Sequence, residues 1–396
     1  MDTAEKVHYD PYDALVCADP YPHYARLRSS APVYRNEERD FWALSRHADV
    51  MHALLDETRF SNANGNSIEP ASWGPNAFKY ASVLAMDPPL HTRVRSAVTG
   101  FFGNRRTARL EPVVRSAVRT CLDELTDRES FDFVRDFVDK FPIRVLCHLM
   151  AGEEADPEMI HGLADGVVER GSGTDDAPIR AIEATLQLMA YFEELVERRR
   201  RTPGDDLISY LLSVPGPGEK ITGEEIVAFL NLLAAAGNDT VIQLLGNAWY
   251  WAGRHPDQRR LALAGNIDGW VEETLRFDTP NQFAARTAVE DIELHGVVIP
   301  AGARVLLLPG AANRDADVFV DPDRYDLTRQ SPGKITFGGG RHRCLGARLA
   351  RLQARVALGA MAAELADYEI DQAAARRVTA AEARGFLSLP TTVRRR

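Results

Sequence analysis

Cysteine is scarce. Four residues (Cys17, Cys121, Cys147 and Cys344) are scattered over 396 positions, with no CxxC pair among them. That excludes a disulfide framework and offers no cysteine-based zinc site. Long hydrophobic runs are also missing. The most apolar stretch, IVAFLNLLAAAGNDTVIQLLG, is interrupted by Asn231, Asn238 and Asp239, which argues against a membrane span of about 20 residues. The N-terminal MDTAEKVHYD is polar, with no basic segment leading into an apolar one. No secretory signal is expected, and a reducing cytoplasm fits. Positive charge is in deficit: 47 Lys and Arg face 57 Asp and Glu, a net charge of −10. Nucleic acid is therefore not the expected partner. Internal repeats and low-complexity segments are absent.

With 45% hydrophobic and 26% charged residues the chain has a globular composition. PVYRNEERDFWALS alternates as a small hairpin does. From SNANGNSIEPASWGPNAF a loop of roughly 25 residues is expected, and loops that long are often functional. Residues 90 to 275 carry a helical pattern. Strand-type alternation returns between 277 and 310, a helix follows Cys344, and FLSLPTTV reads as a strand. Helical and strand-rich parts interleave at both ends, which predicts one mixed domain over residues 1–396.

One cysteine stands apart. KITFGGGRHRCLGARLA, residues 334–350, sets Cys344 in a glycine-rich turn ahead of a helical run. Glycines allow a tight turn and close approach of a flat ligand. A thiolate just before a helix is stabilised by the positive end of the helix dipole. The other three cysteines read as small buried hydrophobes. Three more stretches place polar residues with purpose. MDPPLHTRVR sets His91 and Arg95 four apart on a helix opened by prolines. Read alone, they are an exposed helix face or donors for a buried carboxylate. EETLR places Glu273 and Arg276 at i and i+3, where they can pair; on a surface such a pair contributes little. LLAAAGNDTV inserts Asp239 and Thr240 into an apolar helix just after Gly237, a pattern that marks a satisfied core pair or a kink.

FGGGRHRCLG resembles the haem-binding signature of the cytochrome P450 haem-thiolate monooxygenases, and the three other stretches follow in that family's order. The resemblance runs from DPYPHYARLR to RGFLSLP, nearly the whole chain. It implies the cytochrome P450 fold, mainly α with smaller β-sheets. Haem b (iron protoporphyrin IX) would lie between an oxygen-binding helix and the helix after the cysteine loop. Residue by residue, Cys344 is the implied iron ligand, the family's device for favouring O–O cleavage. Phe337 would pack near the sulfur, within a loop shaped by Gly338 and Gly346. His91, Arg95, Arg286 and His342 would meet the haem propionates. Glu273 and Arg276 would lock the loop with a third member from FVDPDRYDLTR, for which Arg324 is preferred over Arg329. AGNDT, residues 236–240, matches the oxygen-groove motif of a distorted helix. Thr240 would hold the reduced oxygen by a hydrogen bond, and Asp239 would relay protons from solvent. That pair favours O2 and electrons over peroxide.

The resemblance also implies partners. A small acidic ferredoxin, served by an NAD(P)H-dependent ferredoxin reductase, would dock among Arg93, Arg105, Arg106, Arg109, Arg341, Arg343 and Arg348. By family position the substrate pocket would draw on Phe78, Val83, Leu84, Leu232, Ala235, Ala236, Phe283 and Phe386, an apolar set suited to a small aromatic or terpenoid-sized molecule. ANRDADVFVDPDRYDLTR and RGFLSLP are most similar to members that oxidise para-substituted benzoates. The serines expected to hold a carboxylate are replaced by Asn231, Leu232 and Ala235, leaving Ser82, Lys79 and Asn231 as substitutes. The expected activity is hydroxylation or O-demethylation. Oxidative tailoring in natural-product biosynthesis is an alternative, and a non-catalytic haem sensor or gas-binding protein is the alternative of another class.

Overall fold

A computed structural model describes residues 7–168, 179–214 and 220–396. The first six residues of the polar N-terminal stretch lie outside it. The expected helical region contains α1 (Leu90–Phe101), α2 (Glu111–Asp123), α3 (Phe141–Ala151), α4 (Pro157–Val168), α5 (Ile179–Arg201), α6 (Gly223–Arg254) and α7 (Ile267–Phe277). The helix after Cys344, α8, is Ala347–Glu364.

α6 runs through the middle and packs against α3, α4, α5, α7 and α8. Its start is set by a capping box: the Glu225 N–H donates to Thr222 Oγ1 at 3.2 Å, and the Thr222 N–H donates to the Glu225 carboxylate at 2.9 Å. By length and composition α6 could cross a membrane, but 56% of its apolar window is buried inside the fold, as in a core helix. Near its C-terminal end Trp249 is fully buried. It stacks on Phe133 at 4.2 Å and on Tyr368 at 3.7 Å between ring centroids. The expected distortion at Gly237 is not a break: α6 is continuous from Gly223 to Arg254.

The strands form small sheets beside this helical body. The predicted hairpin is present as β1 (Val33–Asn36) and β2 (Phe41–Leu44), antiparallel with Val33 opposite Leu44. With β3 (Phe60–Ser61), β4 (Ala284–Ala288) and β5 (Arg304–Leu307) they make a five-stranded sheet of order β1-β2-β5-β4-β3. Only the β2–β5 pairing is parallel. The terminal strand Pro390–Arg395 lies between Ser130–Asp132 and Leu365–Ile370, tying the C-terminus to the helical body. The architecture is mainly α with smaller β-sheets, and the cysteine loop is tucked beneath the helix His47–Leu55. Gly340 makes that approach possible. Its φ is +60°, and a Cβ there would lie 2.6 Å from the Leu54 carbonyl oxygen.

Candidate active site

Cys344 lies between the turn Gly340–His342 and the start of α8. Its N–H donates to the Phe337 carbonyl at 2.9 Å, which closes the loop. Phe337 in turn lies beneath the Arg351 guanidinium, 4.4 Å from the ring centroid. Burial pushes the Cys344 thiol up. The backbone N–H of Gly346, the Arg95 cation, the N–H of Ala347 and Arg351 act in the opposite direction. A Cβ on Gly346 would stand 3.9 Å from the sulfur, an ordinary van der Waals contact. Cys344 is the exposed cysteine of the four. Surrounding protein desolvates it while one side remains reachable. Cys121 and Cys147 are buried, and burial raises the Cys147 thiol to about 12, which leaves it inert.

Above this loop four donors converge with no carboxylate bonded to any of them among the described residues. His91 on α1 is 1% exposed, and neither ring nitrogen has a hydrogen-bond partner. Its ring lies 4.3 Å from that of His342, whose Nδ1 is also unpartnered. Arg95 donates to the Arg343 carbonyl. Arg286 on β4 is buried; its Nη1 donates to the Ala285 carbonyl at 2.7 Å, and it forms no ion pair among the described residues. Asp87, the acid whose charge acts on Arg286 and His91, accepts instead from Ser61 and the Asn62 N–H. The crowding is visible in the titrations. Burial, then Arg95 and Arg341, hold His91 down at about 4. Burial, then Arg286, His91 and Arg95, hold His342 at about 2. Burial lowers Arg286 to about 10. Buried donors of this kind need anions. The two carboxylates of a haem whose iron meets Cys344 would supply them, so these residues fit the group.

Glu273 and Arg276 on α7 are 1% and 0% exposed. They pair through two hydrogen bonds of 2.7 and 2.8 Å. The third member expected from sequence was Arg324, and the structure corrects it. The Arg324 side chain is 66% exposed and reaches only toward Asp326 at 4.0 Å; its carbonyl alone accepts from Arg276. Arg329 Nε donates to Glu273 Oε1 at 3.1 Å instead. Arg329 also donates to the Val320, Asp321 and Arg324 carbonyls, so this loop wraps around the later arginine and holds it inward.

On α6 the Thr240 hydroxyl donates to the Ala236 carbonyl at 2.8 Å, a bond one turn back along the helix. Burial raises the Asp239 carboxyl, and Gln243 opposes this by donating to Oδ1 at 2.8 Å. Gln243 Oε1 also accepts from the Phe386 N–H at 2.8 Å. Gln243 was missed in the sequence, although its i+4 spacing from Asp239 was a usable signal.

The expected pocket residues divide. Leu232 and Ala235 are half-buried and Ala236 is exposed, on a helix otherwise largely enclosed. Phe78 and Leu84 are half-buried. Val83 is buried, with its carbonyl facing the His342 ring. Phe283 is not with them: it packs in a separate cluster with Tyr9, Ile68 and Leu306 beside the five-stranded sheet. Phe386 is also turned away. Its ring packs 4.5 Å from Tyr250 and lies beneath Arg377, while Leu387 on the opposite strand face is 44% exposed. The arginines divide too. Arg93 is bonded to Glu225, Arg106 to Asp205 and Arg341 to Glu57. Arg105, Arg109, Arg343 and Arg348 are exposed and form no side-chain ion pair among the described residues.

Comparison with known proteins agrees with this geometry. The cytochrome P450 family profile matches residues 267–375. The putative cytochrome P450 123 of Mycobacterium tuberculosis is 46% identical over 390 residues, covering 98% of this chain and 97% of that protein. The vitamin D(3) 25-hydroxylase of Pseudonocardia autotrophica is 36% identical, covering 92% of this chain and 91% of that one. Among solved structures, cytochrome P450 CYP109Q5 from Chondromyces apiculatus superposes with a TM-score of 0.89 at 32% identity. That match covers 98% of this chain and 99% of the other.

Proposed function

The chain belongs to the cytochrome P450 family, whose members bind haem b through a cysteine thiolate and act as monooxygenases, and on that premise we propose that it hydroxylates or O-demethylates a neutral apolar substrate. It acts as a single cytoplasmic domain, using O2 and electrons from a separate ferredoxin served by an NAD(P)H-dependent reductase. The observation that carries the reading is the pairing of Cys344, open at the start of α8, with a group of His91, Arg95, Arg286 and His342 that has no carboxylate bonded to it among the described residues. One end suits iron and the other suits the carboxylates of the same flat group.

When bound, the haem supplies oxygen activation and C–H oxidation. The chain supplies position and protons. Cys344 anchors the iron while the N–H groups at the start of α8 hold negative charge on its sulfur. Thr240 can turn its hydroxyl from the Ala236 carbonyl toward the oxygen side of the site and pass a proton there. Burial keeps a proton on Asp239 over a wider pH range than on an ordinary aspartate, so it has one to give. Leu84, Leu232, Ala235 and Ala236 keep the substrate side apolar.

The neutral substrate follows from what could hold a carboxylate. The Asn231 amide donates to the Tyr80 carbonyl at 3.1 Å, the Ser82 hydroxyl is fully buried, and Lys79 is exposed. Lys79, the one cation of the three, stands at the surface, the Asn231 amide N–H is engaged, and the buried, unpartnered Ser82 hydroxyl is a single neutral donor, too little to hold an anion alone. The relative named a vitamin D(3) 25-hydroxylase supports hydroxylation of a lipophilic molecule. Titrating the ferric protein with 4-methoxybenzoate and with its methyl ester, followed by the Soret band, tests the proposal. The ester should shift the band and the acid should not; a shift with the acid alone overturns the neutral-substrate reading.

A further inference from the structure

Asp239 is half-buried on α6 and burial raises its carboxyl, so a proton it gives toward Thr240 must be replaced from elsewhere. The relevant groups lie on α4 and the turn before α3. His161 Nε2 on α4 lies 3.3 Å from Asp139 Oδ2 and 3.6 Å from Asp165 Oδ2. Side-chain exposure is 56% at Asp165, 34% at Asp139 and 25% at His161. α4 packs on α6, which carries Asp239. Asp139 and Asp165 both act electrostatically on Asp239 or are acted on by it. The set thus joins exposed acids on the surface to the half-buried Asp239 on the adjoining helix.

We propose that His161, held by Asp139 and Asp165, is the solvent-side proton station that reloads Asp239. The inference deepens the reading above and rests on it. A proton from water enters at Asp165 or His161. It passes to Asp239 through water as Asp239 gives its own proton toward Thr240. One proton enters for each that leaves, and no electrons move.

The chemistry of the cluster suits the task. Two carboxylates flank one imidazole within 3.6 Å, and Asp239 acts on Asp165 from α6, so the groups retain a proton that an isolated one would release. Hydrogen bonding to Asp139 and the charge of Asp165 raise His161. Burial, then Asp139 and Asp239, raise Asp165 to about 6, against the lowering effect of His161. No other described charged residue acts on these two. α5 turns Ala181, Ala184 and Leu188 inward, and α6 contributes Asp239. His161 touches neither substrate nor cofactor in this scheme; it acts through Asp239.

The test uses the haem-loaded full chain with NADH, a surrogate ferredoxin and its reductase, and no added substrate. Oxygen consumption is followed against pH in H2O and D2O. His161→Gln should slow consumption about tenfold at neutral pH, enlarge the solvent isotope effect and move the alkaline limb of the profile to lower pH. Asp165→Asn, at an exposed position, should do the same more weakly and covers the case in which His161→Gln folds poorly. Asp239→Asn combined with His161→Gln should be no slower than Asp239→Asn alone, as for two members of one path. Proton NMR of the His161 ring should show its titration falling when Asp165 is replaced. An unchanged pH profile and isotope effect in both single variants, or additive losses in the double variant, overturns the proposal. The carbon monoxide difference band should persist in every variant; its absence from the unsubstituted protein would instead sink the haem-thiolate reading.

Discussion

Glu273 has no access to water, and both of its oxygens are occupied. Oε2 accepts from Arg276, and Oε1 accepts from Arg276, Arg329 and the Asp326 N–H. A buried carboxylate so placed depends on each cation. Arg329→Ala should therefore destabilise the protein by about 1–3 kcal/mol, with haem lost at lower temperature. Arg324→Ala should change stability by less than about 0.5 kcal/mol. Thermal unfolding followed at the Soret band separates them; equal losses would refute the assignment of Arg329. The Glu273–Arg276 pair was legible because i and i+3 fix a contact on any helix. The third member was not, because the two candidate arginines sit five apart in a loop whose path, not its sequence, decides which points inward. Cys344 was legible for the opposite reason: glycines and a following helix define its surroundings locally. Cys344→Ser should leave the fold intact, since the side chain is exposed and its backbone closes the loop. It should abolish the thiolate carbon monoxide band, which a serine oxygen cannot reproduce; retention of that band would assign the ligand elsewhere.

Along an element, one residue can join two functions. Gln243 donates to Asp239 and accepts from the Phe386 N–H, so it couples α6 to the strand Phe386–Ser388. Gly385 is required for that approach, since a Cβ there would stand 2.0 Å from Gln243 Oε1. Gln243→Leu leaves a buried N–H unpaired and should cost about 1–3 kcal/mol in urea unfolding. Gln243→Glu keeps the acceptor and should cost less. Both remove the donor that lowers the Asp239 carboxyl, so its pKa rises. A protonated Asp239 is the form with a proton to give, so the alkaline limb of the pH profile should move to higher pH in both variants. A limb unchanged in both would show that Asp239 does not set it. α6 itself was readable from its apolar run, and the Thr222–Glu225 capping box at its start was a further signal left unused. The strand-borne pocket residues were not. Side chains alternate along a strand, so Phe386 or Leu387 faces the core according to a register that long-range pairing sets. Phe283 likewise went to a core built by the N-terminal tyrosines, which no local pattern announces.

At the scale of the molecule, a net charge of −10 should repel an acidic electron donor, yet the charges are unevenly placed. Intramolecular pairing removes Arg93, Arg106 and Arg341 from the candidate docking set. Arg105 and Arg109 remain exposed just beyond α1, with Arg343 and Arg348 on the cysteine loop and α8. The order of helices and sheets was readable because long periodic segments dominate the chain. Which arginines remain unpaired was not, because Glu225, Asp205 and Glu57 are distant in sequence from the residues they bind. An exposed cluster of one sign acts over about one Debye length, roughly 8 Å at physiological salt. It can steer an acidic partner although the total charge opposes association. Arg109→Glu with Arg348→Glu should therefore reduce the rate of first electron transfer from ferredoxin about tenfold or more at low salt, through association rather than chemistry. The deficit should shrink as salt is raised, and Arg106→Glu, whose guanidinium already pairs with Asp205 and lies over Phe101, should add less. Stopped-flow reduction under carbon monoxide across a salt series measures this. A deficit that does not depend on salt would place the docking face away from the cysteine loop.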